Sequence, residues 1–317
     1  MAEGENFEKR LPAPAIGAAV LVAAIWGFNF VVIKVGVSAV PPLMLAALRF
    51  VFCALPAVFF VRRPSAPMKS LAAYGLLLGM GEFGFLFTAI KLGAPSGLSS
   101  IVLQSQAFFT AILASVLLKE KLRAHNAAGM IVAGAGLAVF ALPSAGNEGG
   151  MSLPLLGMIL LAGLGWAAAN VAARKMPGTN ALGLMVWSSL FSPLPLAALS
   201  LAFEGPAAIG AALSGLGLLT IGALAYLVIL STLLGYGLWN GLIMRHGAGR
   251  IAPFSLIVPI FGLASASLVL GEGFGARSAA GAALVLAGLL VHVFGGRLGG
   301  GARGAGRKTR QSGEDER

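Results

Sequence analysis

Two ionisable side chains stand deep inside long apolar runs: Arg49 within 42–61, and Glu82 near the middle of 70–90. In a bilayer, a charge at that depth costs about 2.5–3.5 kcal/mol on insertion scales, and it normally faces a bundle interior or a wet cavity. Arg49 has the chemistry to hold a carboxylate, and Glu82 to take a proton or an ammonium group. The alternatives are a structural Arg–Glu pair, or an Arg49 whose long side chain reaches to the interface.

Amides recur in the same kind of surroundings: Asn29, Gln104, Gln106, Asn170 and Asn240. Each must find a hydrogen-bonding partner on a neighbouring helix or on a ligand. Thr232, Tyr236 and Asn240 are spaced i, i+4, i+8 with Trp239 beside them, and Ser99, Gln106 and Thr110 form a comparable stripe. Trp26 precedes Asn29 by three residues and Trp166 precedes Asn170 by four, so each pair shares a helical face. The tryptophans are either cavity walls or interfacial anchors. Polar stripes on several helices are what a central, partly hydrated pathway requires.

The elements that carry these residues follow from composition. Charged residues make up 10% of the 317 and hydrophobic ones 58%, with a mean hydropathy of +0.91. A soluble domain of this length needs more polar surface. The apolar mass divides into ten stretches of spanning length: 14–34, 42–61, 70–90, 98–118, 125–142, 153–173, 181–203, 214–240, 251–270 and 278–296. They do not alternate with period two, so helices rather than a barrel are expected. The 45 glycines fit close helix packing in lipid.

A net charge of +11 raises nucleic acid as a partner, but no basic face forms, and none is expected. Eighteen of the 22 Lys and Arg fall in alternate gaps between spans, beginning with Lys9 and Arg10 and ending with the tail after 296. Lys34, Lys91 and Arg277 occupy the opposite gaps. The positive-inside rule then places both termini in the cytoplasm and requires an even number of spans.

Residues 93–137 and 245–289 overlay without a gap: Gly97 falls on Gly249, Glu120 on Glu272, Gly129 on Gly281 and Gly136 on Gly288. The chain therefore reads as two five-helix repeats, 14–142 and 153–296. A periplasmic linker, 143–152, joins them; a short cytoplasmic segment, 1–13, and a disordered basic and acidic tail, 297–317, flank them. Five is odd, so the second copy enters the membrane from the opposite side, and the repeats are inverted around a shared site.

Other motifs carry less. Gly79-x-Gly81-x-x-Gly84 matches a dinucleotide fingerprint as a string but lies inside a span. No nucleotide-binding lysine motif and no catalytic constellation is present, so neither an ATP-driven pump nor an enzyme is expected. With three scattered histidines and the single Cys53, no metal site, disulfide or cofactor is expected. Gly75–Gly79 and Gly237–Gly241 fit small-xxx-small packing. Pro193, Pro195, Pro253 and Pro259 mark kinks, either static or flexing.

The chain resembles the EamA family of the drug/metabolite transporter superfamily. The resemblance covers 15–295 and rests on three features: Trp26-Gly-Phe-Asn29-Phe; Pro41-Pro-Leu-Met-Leu-Ala-Ala-Leu-Arg49-Phe; and the paired Leu118-Lys-Glu120 and Leu270-Gly-Glu272 segments. Asn29-Phe-Val-Val-Ile-Lys34 and Leu103-Gln104-Ser-Gln106-Ala-Phe-Phe-Thr110 are similar to the branch that exports cysteine-pathway metabolites and O-acetylserine. The resemblance implies a ten-helix efflux carrier of the bacterial inner membrane, driven by the proton gradient. It places Trp26, Asn29, Arg49, Gln104 and Gln106 on a central cavity that takes a small-molecule substrate. Glu82 matches no motif of the family and is the proton-coupling candidate on physical grounds alone. Alternatives are an exporter or permease of other solutes, including other amino acids, aromatic metabolites and drugs, and, from a different class, an intramembrane enzyme or lipid-handling protein.

Overall fold

The computed structural model describes residues 11–142 and 151–311, and every regular element among them is helical. The expected N-terminal segment and linker therefore lie mostly outside the described residues, as do 312–317. Among the described residues, nine helices are long and apolar enough to cross a membrane: Ala13–Ala39, Pro42–Phe59, Met68–Lys91, Ser96–Leu117, Ala124–Ala141, Leu153–Arg174, Leu218–His246, Pro253–Leu270 and Ala276–Gly295. Ala181–Ser188 and Pro193–Phe203 are apolar enough together but bent by 43°; counted as one broken span, the expected seventh, they bring the set to ten. Helices satisfy their own backbone groups, which lipid cannot do.

The fifth and tenth spans disclose the symmetry. A methyl on Gly129 would sit 2.5 Å from the Gly288 carbonyl oxygen, and one on Gly136 would sit 2.6 Å from that of Gly281. Numbers rise on one helix as they fall on the other, so the two run antiparallel. Gly129 corresponds to Gly281 in the repeat and Gly136 to Gly288, so the two contacts exchange under a two-fold operation. Glycine is required here because the backbones touch. Equivalent helices related in this way are the inverted repeat.

Several expectations are corrected. The first span does not stop at Lys34 but runs to Ala39, because Lys34 finds a partner within the bundle. Lys34 Nζ donates to the Ile90 carbonyl at 3.2 Å, and Lys91 Nζ donates to the Val37 carbonyl at 2.6 Å. Each lysine thus caps the C-terminal carbonyls of the other's helix, where a cation is favoured. The eighth span is Leu218–His246 rather than 214–240, and Pro206–Ser214 is a separate short helix. With no charge between Gly205 and Met244, the sequence held no border signal, and the break falls at Gly215–Gly217. The last helix continues to Gln311 through 297–311, a stretch expected to be disordered. No proline interrupts it, and a helix already nucleated extends by one bond per added residue.

The glycine-rich string of the third span has a packing role. Gly75 and Gly79 face the break in the seventh span, where Ser192 Oγ donates to the Gly75 carbonyl at 2.7 Å. A methyl on Gly81 would lie 3.1 Å from Gly165 Cα of the sixth span. Gly237 and Gly241, by contrast, face open space, so that pair is not a packing motif.

Candidate functional site

A cavity of about 440 Å³ lies at the centre of the bundle, between the two repeats. All eleven residues singled out from the sequence line it: Trp26, Asn29, Arg49, Glu82, Gln104, Gln106, Trp166, Asn170, Tyr236, Trp239 and Asn240. It reaches toward the end of the bundle marked by Ala173, Ala181, Leu184 and Ile243, and stops at Leu86 and Ser100 in the other direction.

Irregular helix geometry places the charged groups. The third span opens into a π-helical segment over Leu77–Gly84, which carries Glu82. The eighth does the same over Tyr226–Leu234, at the matching place in the other repeat. Wide turns of this kind are rare and concentrate at functional sites. Arg49 Nη2 donates to Thr232 Oγ1 at 3.0 Å, and Thr232 Oγ1 in turn donates to the Leu227 carbonyl at 2.7 Å. The guanidinium also lies 3.9 Å over the ring of Phe83, a favourable cation–π placement. Arg49 is thus held by Thr232 and Phe83 rather than by Glu82, and neither it nor Glu82 reaches solvent at an interface. Arg49 Nη1, Glu82 Oε2, Asn29 Oδ1 and Asn240 Nδ2 are buried without a hydrogen-bonding partner. Four unpaired polar atoms on residues that line one cavity are costly unless a ligand or water meets them.

The amide wall comes from the fourth and sixth spans. On a regular helix, residues two apart point about 160° away from each other. A tighter turn at Leu103–Ser105 changes that register, and Gln104 and Gln106 both reach the cavity. Asn170 Nδ2 donates to Gln106 Oε1 at 3.1 Å, and Gln104 Nε2 donates to the Ser255 carbonyl at 3.3 Å. Ser99 does not join this wall, since its hydroxyl bonds back to Pro95. Thr110 supports the Asn170–Gln106 pair from behind.

An aromatic wall completes the site. The Trp26 ring centre is 5.4 Å from Tyr236 and 5.2 Å from Trp239, and its indole N–H donates to the Ser231 carbonyl at 2.9 Å. Trp26 and Trp166 are cavity walls, not interfacial anchors. Sequence reasoning missed Tyr74, Phe83, Ser100, Ser231 and Ser255. Phe83 is one of 19 phenylalanines and carries no local signal, while Ser231 stood beside the Thr232 stripe.

A larger groove of about 640 Å³ lies between Pro41, Lys91, Phe203 and Ala212. Its charges are already engaged: Lys91 with Val37, and Glu204 with the backbone N–H groups of Leu43 at 2.8 Å and Met44 at 3.3 Å. The central cavity, with its unpaired groups, is the better candidate.

Residues 13–142 and 154–294 each match the EamA-like transporter family. A protein of Salmonella typhimurium strain LT2 called "Probable amino-acid metabolite efflux pump" is 44% identical over 284 residues, covering 88% of this chain and 95% of its own. One of the same name from Escherichia coli strain K12 is 41% identical, covering 87% and 94%. A solved structure of 18% identity superposes with a TM-score of 0.58 over 88% of this chain and 95% of that one, a likeness of fold. With two matched repeats, nine or ten candidate spans and relatives aligned over nearly their whole length, this chain belongs to the EamA-like transporter family and is a multi-pass membrane transporter, not an enzyme.

Proposed function

We propose that this carrier exports small zwitterionic amino-acid-like metabolites, with cysteine-pathway metabolites and O-acetylserine as the first substrates to test. It sits in the bacterial inner membrane with both termini cytoplasmic. The observation that carries the reading is the pair of unpartnered buried atoms, Arg49 Nη1 and Glu82 Oε2, on two residues that line the same cavity. A substrate carboxylate meets Arg49 in a charge-assisted hydrogen bond, and its ammonium group meets Glu82. Asn29, Asn240 and the Gln104–Gln106–Asn170 wall hold the polar remainder, while Trp26, Trp166, Tyr236 and Trp239 enclose the side chain. Glu82 alternates between binding a proton and binding substrate, which couples export to the proton gradient. The names of the relatives support the same substrate class.

Uptake of labelled amino acids and O-acetylserine into everted vesicles, with and without an imposed pH gradient, tests this. Gradient-stimulated uptake of a zwitterion supports it; uptake confined to solutes lacking a carboxylate would refute it. The aromatic cluster of Trp26, Tyr236 and Trp239 favours a second reading, export of aromatic metabolites. That reading predicts competition by phenylalanine and tryptophan ahead of small amino acids in the same assay.

A further inference from the structure

Glu120 and Glu272 occupy matching positions in the two repeats and are presented by the same backbone turn. Each follows a left-handed residue that ends its helix, Lys119 at φ 57° and Gly271 at φ 66°. Each backbone N–H reaches back to a matching carbonyl: Glu120 to Ala114 at 3.3 Å and Glu272 to Ala266 at 3.2 Å. Such a turn closes a helix C-terminus, and outside glycine its left-handed residue is uncommon.

Their side chains nevertheless do different things. Glu272 accepts from the backbone N–H groups of Ser96 at 2.8 Å and Gly97 at 2.9 Å, so it caps the start of the fourth span across the repeat boundary. A carboxylate there meets unpaired amides and the positive end of the helix. Phe274 packs on the same spot, with its ring 2.5 Å from where a methyl on Gly97 would lie. By the repeat, Glu120 should cap the helical run that begins at Ala248, and Leu122 should cover Gly249. In the structure both carboxylate oxygens of Glu120 accept from Arg174 Nη1, at 3.0 and 2.9 Å, and Leu122 is 44% exposed.

Glu272 lies at one end of the 22-residue fourth span and Glu120 just past the other, about 33 Å away along its axis. The cavity extends toward the Glu120 end, where Ala173 lines it next to Arg174, and its lining ends at Leu86 and Ser100, short of the Glu272 end. The end the cavity does not reach has its carboxylate docked on a helix start; the end it extends toward has its carboxylate parked on an arginine.

We infer that Glu272 and Glu120 are paired gating residues of the transport cycle: Glu272 locks one face shut by capping Ser96 and Gly97, and Glu120 leaves Arg174 to cap Ala248 and Gly249 when the other face shuts. Arg174 is then a reserve partner that favours the state seen here. The inference rests on the carrier reading but on no particular substrate.

The test replaces Cys53 with alanine and reads one reporter cysteine, Leu184→Cys, at the open end of the cavity, with a water-soluble maleimide and no substrate. Losing a carboxylate cap shifts a two-state equilibrium by about fivefold. Glu272→Gln should lower the labelling rate, by up to that factor, because it weakens the state in which Leu184 is reached. Arg174→Ala should also lower it, by freeing Glu120, whereas Glu120→Gln should leave it unchanged or raise it. A structural ion pair predicts that Glu120→Gln and Arg174→Ala act alike. Any pattern other than the split between these two, together with the fall for Glu272→Gln, overturns the inference. A substrate panel can fail while this pattern stands, and the reverse, so the two readings fail separately.

Discussion

Arg49 and Thr232, 183 residues apart in the chain, are joined by a 3.0 Å hydrogen bond that links the second span of one repeat to the π-helical segment of the other. The bond holds the guanidinium by Nη2, while Nη1 of the same cavity-lining residue is buried without a hydrogen-bonding partner. An anchoring interaction and an unpaired donor on one side chain are what a pre-organised binding group needs.

Arg49→Ala should therefore raise KM for a carboxylated substrate by about tenfold or more, since hydrogen bonds to charged groups are worth about 1.5–3 kcal/mol. Thr232→Val should raise it less, by about threefold, because Arg49 remains but loses its orientation. Initial uptake rates in everted vesicles, normalised to the amount of inserted protein, measure both. An Arg49→Ala protein that transports normally per molecule would leave Arg49 a structural residue.

Glu82→Gln keeps the shape and removes the charge. Accumulation driven by a pH gradient should disappear, while the purified variant still elutes as one species in detergent. Accumulation that persists with the gradient as its only driving force would remove Glu82 from coupling.

Gly129→Val should destabilise the bundle by about 1–3 kcal/mol or prevent its assembly, because the added carbons meet Gly288 and His292. Gly134→Ala, on the same helix with no atom within 4 Å of the new methyl, should be neutral or raise the melting temperature slightly. Thermal unfolding in detergent compares the two.

Asn170 and Gln106 share a hydrogen bond of 3.1 Å between the repeats. A double-mutant cycle with Asn170→Ala and Gln106→Ala should give a coupling energy of about 0.6 kcal/mol and no more than about 1.7, the range for such bonds between membrane helices. Zero coupling in unfolding measurements would mean that the two amides do not hold each other in the membrane.

The sequence by itself determined most of the spans, the duplication and eleven members of the cavity wall. These are local or additive properties: twenty apolar residues cross a bilayer wherever they occur, and an amide, arginine or glutamate inside one must face protein or water. That is why Arg49, Glu82 and the dispersed amides could be named before any helix was placed. Tertiary structure alone decided how they are used. The π-helical segments that carry Glu82 and Thr232, the tight turn at Leu103–Ser105 and the break before Pro193 arise where neighbouring helices compensate irregular backbone. Likewise, Lys34 and Lys91 cap each other's helices, and Glu272 is docked while its sequence twin Glu120 is not. Identical local turns end in different partners because a side chain's partner is set by what the rest of the fold brings within about 3 Å, and in this state the two ends of the bundle differ.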